Sequence, residues 1–350
     1  METALKASNL SLFHAVKPTL SNTIVIAPSQ EGLWLIAADD WVLLRQKLYG
    51  FSIDRNVAVD KRTFLATLNA MDSFYSVELS KQHLIIKTQT AEFKLALFLP
   101  EDRYFNWPEN YRVIAQLSAG SLKKLIAGAE QLTRHSVDPS MKCVQLLIQD
   151  NYIESTIVNP FQALLRKTEA TVSSQNTLYL SDQILPVLTK MLSLESEEAT
   201  ITIALTNDNR IVFKTEEIDL VANAVSARIP DANQIIPSSQ PDWYFRVKRK
   251  QLIETVERMK LFAGDLGVFL YPEQGMLAFQ GENMAEATKA QEQLKPIEIS
   301  PQGEKRKISV SLLKPMLKAM SSEDVTVKLY DKLAVIESEN EKAIQALMLS

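Results

Sequence analysis

The chain has 350 residues and a formal net charge of −4, with 46% hydrophobic and 23% charged residues. This is an ordinary soluble-protein composition, too long for one core and enough for two or three domains. No apolar run approaches the roughly 18 residues of a membrane span, and no basic n-region precedes an apolar stretch at Met1, so a cytoplasmic protein without a membrane partner is expected.

In chain order, a weak helical pattern comes first, "ETALKASNLSLFHAV" (Glu2 to Val16). From Phe64 a helix with apolar residues at Leu65, Leu68 and Met71 leads through a polar break into three alternating segments, "SVELS", "LIIKT" and "FKLALF". "NWPENYR" (Asn106 to Arg112) reads as a linker. A clear helix follows, "SLKKLIAGAEQLTRH" (Ser121 to His135). From Ile184 the helix-then-strands pattern returns, with Leu185, Leu188 and Met191, then "TITIALT" and "RIVFKT". "SARIPDANQIIP" (Ser226 to Pro237) closes that block with a Pro-bracketed turn expected to push Ile229, Ile235 and Ile236 towards the surface, and "SSQPDW" (Ser238 to Trp243) is a second linker. The helix "KRKQLIETVERMKLF" (Lys248 to Phe262) then places Leu252 and Met259 at a constant offset of 127 from Leu125 and Leu132. The third block has Leu313, Leu317 and Met320, then "VTVKLY" and "LAVIES".

The chain therefore repeats itself, each block's amphipathic helix expected to end at a Met, with Met71, Met191 and Met320 lying 120 and 129 residues apart. Short turns ("SKQH", "NDN", "ENEKA") give the strands meander geometry. The fold class is α+β, with three tandem domains of helix–strands–helix–strands at 1–111, 112–240 and 241–350. Three copies of one unit suggest a curved or ring-like array rather than a single catalytic cleft.

Chemistry-bearing motifs are sparse. The single cysteine, Cys143 in "MKCVQLLI", reads as a buried small hydrophobe and excludes an intrachain disulfide. His14, His83 and His135 are widely spaced, and no HExxH occurs. Nine glycines are few against the usual ~7%, and GxGxxG, GxxxxGK[ST] and GxSxG are all missing. Carboxylates are plentiful, but no motif places two of them together. No enzyme, cofactor or metal site is expected. An acidic chain can still bind nucleic acid where its Lys and Arg are segregated onto one face.

Several segments resemble the bacterial-type DNA polymerase sliding clamp, the beta subunit of DNA polymerase III. They are "KPTLSNTIVI" (Lys17 to Ile26), "RIPDANQIIP" (Arg228 to Pro237), "GENMAEATKAQEQL" (Gly281 to Leu294) and the chain end "KAIQALMLS". Their order and the threefold repeat carry the resemblance over nearly the whole length. It implies a head-to-tail homodimer whose six similar domains close into a ring with helices lining the hole. Such a ring encircles double-stranded DNA without sequence preference and tethers a DNA polymerase and a clamp loader through short linear peptides. Expected DNA-lining residues are Lys17, Lys123, Lys124, Arg134, Lys190, Lys248, Arg249, Lys250, Arg258 and Lys318, with "RVKRK" the densest basic run. As charges on helices, the same residues also fit ordinary solvated faces. The implied peptide groove comprises Met141, Val158, Ala163, Pro230, Ile235, Ile344, Ala346, Leu347 and Met348; the plainer reading of the Pro-Asp segment is an interdomain linker packed on core.

This sequence departs from the family pattern beside the groove, at "VNPFQA" (Val158 to Ala163), at Ala232 and at "ALM" (Ala346 to Met348), so a changed groove shape is expected. "FAGDLG" (Phe262 to Gly267) stands for a basic loop, and the strand that opens the first domain in the family is missing before "ETALKASNL". A second reading follows from these departures: a non-encircling module of the same fold that binds or sequesters replication proteins.

Overall fold

The structure is a computed structural model that describes residues 7–17, 22–29, 32–48, 53–71, 76–108, 110–134, 136, 138–283, 285 and 287–348. The expected helix from Glu2 is thus described from Ala7 onward. Residues 18–21 of the "KPTLSNTIVI" segment, His135, Met284 and residues 349–350 lie outside the described residues.

The first sequence repeat folds as α1 (Ala7–Ala15), β1 (Thr23–Ser29), β2 (Gly32–Ala38), β3 (Val42–Leu48), β4 (Val57–Asp60), α2 (Lys61–Asn69), β5 (Ser76–Leu79), β6 (His83–Lys87) and β7 (Glu92–Ala96). The second folds as β8 (Tyr111–Ser118), α3 (Ala119–Ile126), α4 (Ala129–Thr133), β9 (Cys143–Gln149), β10 (Tyr152–Asn159), β11 (Gln162–Glu169), β12 (Thr171–Val172), β13 (Asn176–Ser181), α5 (Leu185–Leu194), β14 (Thr200–Thr206), β15 (Arg210–Lys214) and β16 (Ile218–Asn223). The third folds as β17 (Trp243–Lys248), α6 (Arg249–Ala263), β18 (Val268–Glu273), β19 (Met276–Asn283), β20 (Thr288–Leu294), β21 (Glu298–Ile299), β22 (Arg306–Ile308), α7 (Val310–Ala319), β23 (Asp324–Leu329), β24 (Leu333–Glu337) and β25 (Glu341–Ala346).

Contacts gather these elements into two compact units: residues 1–123, 170–175 and 183–225, and residues 124–169, 176–182 and 226–350. Unit one holds a nine-stranded sheet, β12-β8-β14-β15-β16-β3-β2-β1-β4, and the three-stranded sheet β5-β6-β7. Unit two holds a nine-stranded sheet, β13-β9-β10-β11-β25-β24-β23-β17-β21, and the four-stranded sheet β20-β19-β18-β22. Each long sheet joins strands of two sequence repeats. β16 adds to β3, with Leu220 opposite Leu44, and β25 adds to β11, with Ala343 opposite Leu164. The compact units therefore cut across the sequence repeats.

Helices cover one face of each long sheet. In unit one α1 packs on α5, and in unit two α6 packs on α7. The offset pairs are equivalent in the core: Leu125, Leu132, Leu252 and Met259 are each 1% exposed. Two helix expectations need correction. The Ser121–His135 helix is broken at Gly128, which has φ +75°, and a Cβ there would lie 2.6 Å from the Ala319 Cβ. Only glycine combines that backbone with that approach. The helices also do not all end at their Met: α5 continues past Met191 to Leu194 because Leu192 extends the buried stripe.

A buried ion pair joins β11 and β25. Arg166 and Glu341 have side chains 2% and 6% exposed, with Arg166 Nε 3.3 Å from Glu341 Oε1. Arg166 also donates to the carbonyls of Ala127 and Ala319, at 2.7 Å each, and to Leu125 O at 3.4 Å. Glu341 Oε2 accepts the Ser321 N–H at 2.8 Å. One guanidinium thus satisfies carbonyls left open at the C-terminal ends of α3 and α7.

Candidate functional site

The far face of the unit-two sheet carries an apolar patch. Alternation along β10, β11 and β25 puts Val158, Ala163, Leu165 and Ile344 on that face, and register brings Ala163 opposite both Val158 and Ile344. The Pro-Asp segment lies across them. Asp231 caps a short 3-10 turn, Ala232–Ile235, by accepting the Asn233 N–H at 3.0 Å. That turn presses Ala232, 1% exposed, onto Val158, Ala163, Leu165 and Ile344. Ile229, Ile236 and Leu333 pack against the same cluster. The expectation of three surface isoleucines is corrected here: only Ile235 projects, at 47% exposure. The small Ala232 side chain lets the segment lie close against the sheet.

The proposed groove residues thus divide by position. Val158, Ala163 and Ile344 form the buried floor, Pro230 and Ile235 are exposed, and Met141, Ala346, Leu347 and Met348 are half-buried. Beyond β25 the backbone is held strand by strand: the Ala346, Leu347 and Met348 N–H groups donate to Phe161 O, Lys332 O and Lys307 O at 2.8, 2.9 and 2.9 Å. The Met348 sulfur lies against Gly267. Phe161, 54% exposed on the β10–β11 turn, belongs to this rim and was missed, although a Phe in an Asn-Pro-Phe-Gln turn is itself a signal. The patch passes into a charged trough of about 180 Å³ lined by Glu154, Lys167, Asn233 and Lys342. Burial pushes the Glu154 carboxyl above its ordinary range against the pull of Lys167.

The basic residues have unequal surroundings. Lys124, Arg134 and Lys250 are exposed and Lys190 is half-buried; among the described residues none of the four side chains has an acidic partner. Lys17 is exposed, and its Nζ bonds Gln183 Oε1. Lys123 pairs with Glu197 at 3.3 Å, Lys318 with Glu257 at 3.0 Å, and Arg258 with Glu292. Lys248 sits 2.9 Å from Glu323 and 3.0 Å from Asp324. Arg249 is committed to the fold, donating to Ser322 O at 2.6 Å and Leu317 O at 3.0 Å. The "RVKRK" run thus offers Lys250 to a ligand more readily than its neighbours.

Cys143 is buried, with its thiol pushed up to about 11 by burial. Among the described residues, no group of three His, Cys, Asp or Glu side chains could hold a metal ion. No described helix is long and apolar enough to cross a membrane.

Paired helices, meander sheets and strands that pass from one repeat's sheet into the next define the fold of the DNA sliding clamps. The solved structures most like this chain include the DNA polymerase sliding clamp of Pseudomonas aeruginosa, 18% identical, with a TM-score of 0.84 over 98% of this chain and 97% of that one. They also include the sliding clamp of Bacillus subtilis, 16% identical, with a TM-score of 0.82 over 98% and 97%. The DNA polymerase III beta subunit of Thermotoga maritima is 14% identical, again with a TM-score of 0.82 over 98% and 97%. No family model matches the sequence, and no curated protein does. The chain therefore shares the sliding-clamp fold at a divergent sequence.

Proposed function

We propose that this chain is a DNA polymerase processivity factor: a sliding clamp of three domains (1–111, 112–240 and 241–350) that forms a ring as a head-to-tail homodimer. The ring encircles duplex DNA and holds a polymerase, and the loader that opens it, by short peptides in the unit-two groove. Its role is mechanical rather than catalytic.

The observation that carries this reading is the rule by which repeats join. The last meander strand of one repeat adds to the third strand of the preceding repeat's first sheet, as β16 does to β3 and β25 to β11. Applied once more, the rule pairs β7 with β20, and each stands at the end of its own sheet. A second copy supplies the missing neighbour at both places, which also removes the open edges.

The register follows from the same comparison. Leu164 opposite Ala343 and Leu44 opposite Leu220 are the known junction pairs. Glu92, across the β6–β7 turn from Lys87, corresponds to Lys342, across the β24–β25 turn from Glu337, so Phe93 corresponds to Ala343. On β20 the helix-side residues are Thr288, Ala290 and Glu292: Thr288 Oγ1 donates to Phe262 O at 2.9 Å and Thr255 Oγ1 bonds Glu292 at 3.0 Å. Taking the middle of these three as the partner sets Phe93 of one copy opposite Ala290 of the other, and Lys94 opposite Lys289. Exposed Leu261 (78%), Phe262 (41%) and Leu266 (48%) add apolar surface beside β20.

Lys and Arg on the helices supply sequence-independent phosphate contacts, weak enough for sliding. The second reading, the non-encircling module, is favoured by one observation. Among the described residues, the sheet β5-β6-β7 lacks the opening strand that β8 and β17 provide in the other repeats. Light scattering on a sizing column separates the two: twice 39.4 kDa for the ring, 39.4 kDa for the module.

A further inference from the structure

The unit-two patch has a counterpart in unit one. Ala38 lies opposite Leu43, and Leu43 opposite Val221, as Val158, Ala163 and Ile344 do in unit two. The Asn223 N–H donates to Trp41 O at 3.0 Å, as the Ala346 N–H does to Phe161 O at 2.8 Å. The covering segment matches as well. "LPED" (Leu99–Asp102) leads into a 3-10 turn at Asp102–Phe105, as "IPDA" (Ile229–Ala232) leads into the turn at Ala232–Ile235. Tyr104, 1% exposed, and Trp107 pack on the unit-one cluster.

The counterpart differs in one respect. A pocket of about 150 Å³ opens between Trp41, Leu43 and Val221 on the sheet side and Arg103, paired with Glu101 at 2.9 Å, and Arg210 on the rim. Trp41 is 36% exposed there. Asp39, the acid in the lining, already accepts the N–H groups of Lys17, Trp41 and Val42 at 3.0, 2.8 and 2.9 Å. Arg210 uses Nε on Asp208 at 2.8 Å and Nη1 on Asn106 O at 2.9 Å. Its Nη2 has no partner among the described residues, so its rigid fork still presents a donor to the pocket.

We infer that this pocket is a second docking site, which takes a short acidic peptide: an apolar side chain enters against Trp41 and Leu43 and a neighbouring carboxylate meets Arg210. With Arg103 paired to Glu101, Arg210 Nε to Asp208, and Asp39 already accepting three N–H groups, the unspent Arg210 Nη2 donor over an apolar floor favours a carboxylate-bearing peptide over a neutral or basic one. The mode of binding rests on the peptide reading of the unit-two groove; the pocket and its charge do not.

The test uses the full chain and two probes, N-acetyl-Glu-Leu-Phe-Glu-amide and its Gln-Leu-Phe-Gln isostere. The chain has four tryptophans, so four indole N–H signals report, and a Trp41→Phe variant assigns the one that matters. The Glu probe is expected to move the Trp41 signal saturably and to bind about tenfold more tightly than the Gln probe, a difference of about 1.4 kcal/mol. Arg210→Ala should erase that preference, while Ile235→Asp in the unit-two groove should leave it intact. A static Trp41 signal, or equal binding of the two probes there, overturns the inference. If binding sensitive to Ile235→Asp persists in that case, the unit-two reading survives.

Discussion

Replacing Arg166 by Ala removes a side chain that ties β11, β25 and the ends of α3 and α7 together in unit two. Glu341 would be left 7% exposed with no cation at hand. Breaking a buried pair from one side costs about 3–5 kcal/mol, mostly the uncompensated charge that remains. The two 2.7 Å bonds to Ala127 O and Ala319 O would also be lost, at about 1–3 kcal/mol for each carbonyl left dry. These losses share one site, do not add, and are bounded by water entering the gap. A loss of about 4 kcal/mol or more is expected, a large share of the 5–15 kcal/mol that holds a typical domain. Urea unfolding followed at Trp243, the tryptophan of unit two and 1% exposed, gives the readout. The Arg166→Met/Glu341→Leu double variant removes both charges and should recover at least half of the loss. A single variant within about 1 kcal/mol of the native chain, or a double variant no better than the single, would refute the argument.

Four further outcomes follow from the same geometry. Leu261→Asp should leave the fold intact, since the residue is 78% exposed, yet weaken self-association about 100-fold by sedimentation; an unchanged dimer would remove that surface from the interface. Charge reversal of Lys124, Arg134 and Lys250 together should lower DNA retention and make the log–log slope of affinity against salt shallower by about 1 for each of the three that meets a phosphate. Arg249→Glu should instead lower thermal stability, because that guanidinium holds Leu317 O and Ser322 O. Glu154→Gln should raise the melting temperature at pH 7. Burial lifts the folded carboxyl above its ordinary value, so the folded state binds more protons than the unfolded one between the two, and native stability falls as pH rises through that window. The gain from Gln should therefore vanish below about pH 4; a gain that persists there would point to packing rather than charge.

Much of the fold was legible in the sequence because the repeats are periodic. The helix stripes and the meander strands obey 3.6- and 2-residue spacing in each copy, and Leu125 and Leu252 occupy equivalent buried places. Less legible was how the repeats join. Nothing local marks Leu44 opposite Leu220 or Leu164 opposite Ala343, since strand pairing across about 175 residues is decided by packing, not by any motif. The groove was half legible. Its floor, Val158, Ala163 and Ile344, is apolar by alternation, whereas the anchoring role of Ala232 depends on a turn geometry that an alanine does not announce. Positive charge was a poor guide: Lys124 and Arg249 look alike in sequence, and only the carbonyls around Arg249 distinguish them. The "LPED" counterpart of "IPDA" was readable at an offset of 130 but becomes meaningful only once both are seen to close over a sheet.

Encirclement of DNA by two copies joined at β7 and β20 is the central claim, and a cross-link tests it most directly. The native thiol, Cys143, is 1% exposed and leaves the background clean. A chain carrying Lys94→Cys and Lys289→Cys, reassembled from dilute monomer over closed circular DNA and then oxidised, is predicted to give a covalent dimer that stays on the circle in detergent and is released when the DNA is cut once. Failure to cross-link, or a cross-linked dimer that leaves intact circles in detergent, would contradict the account.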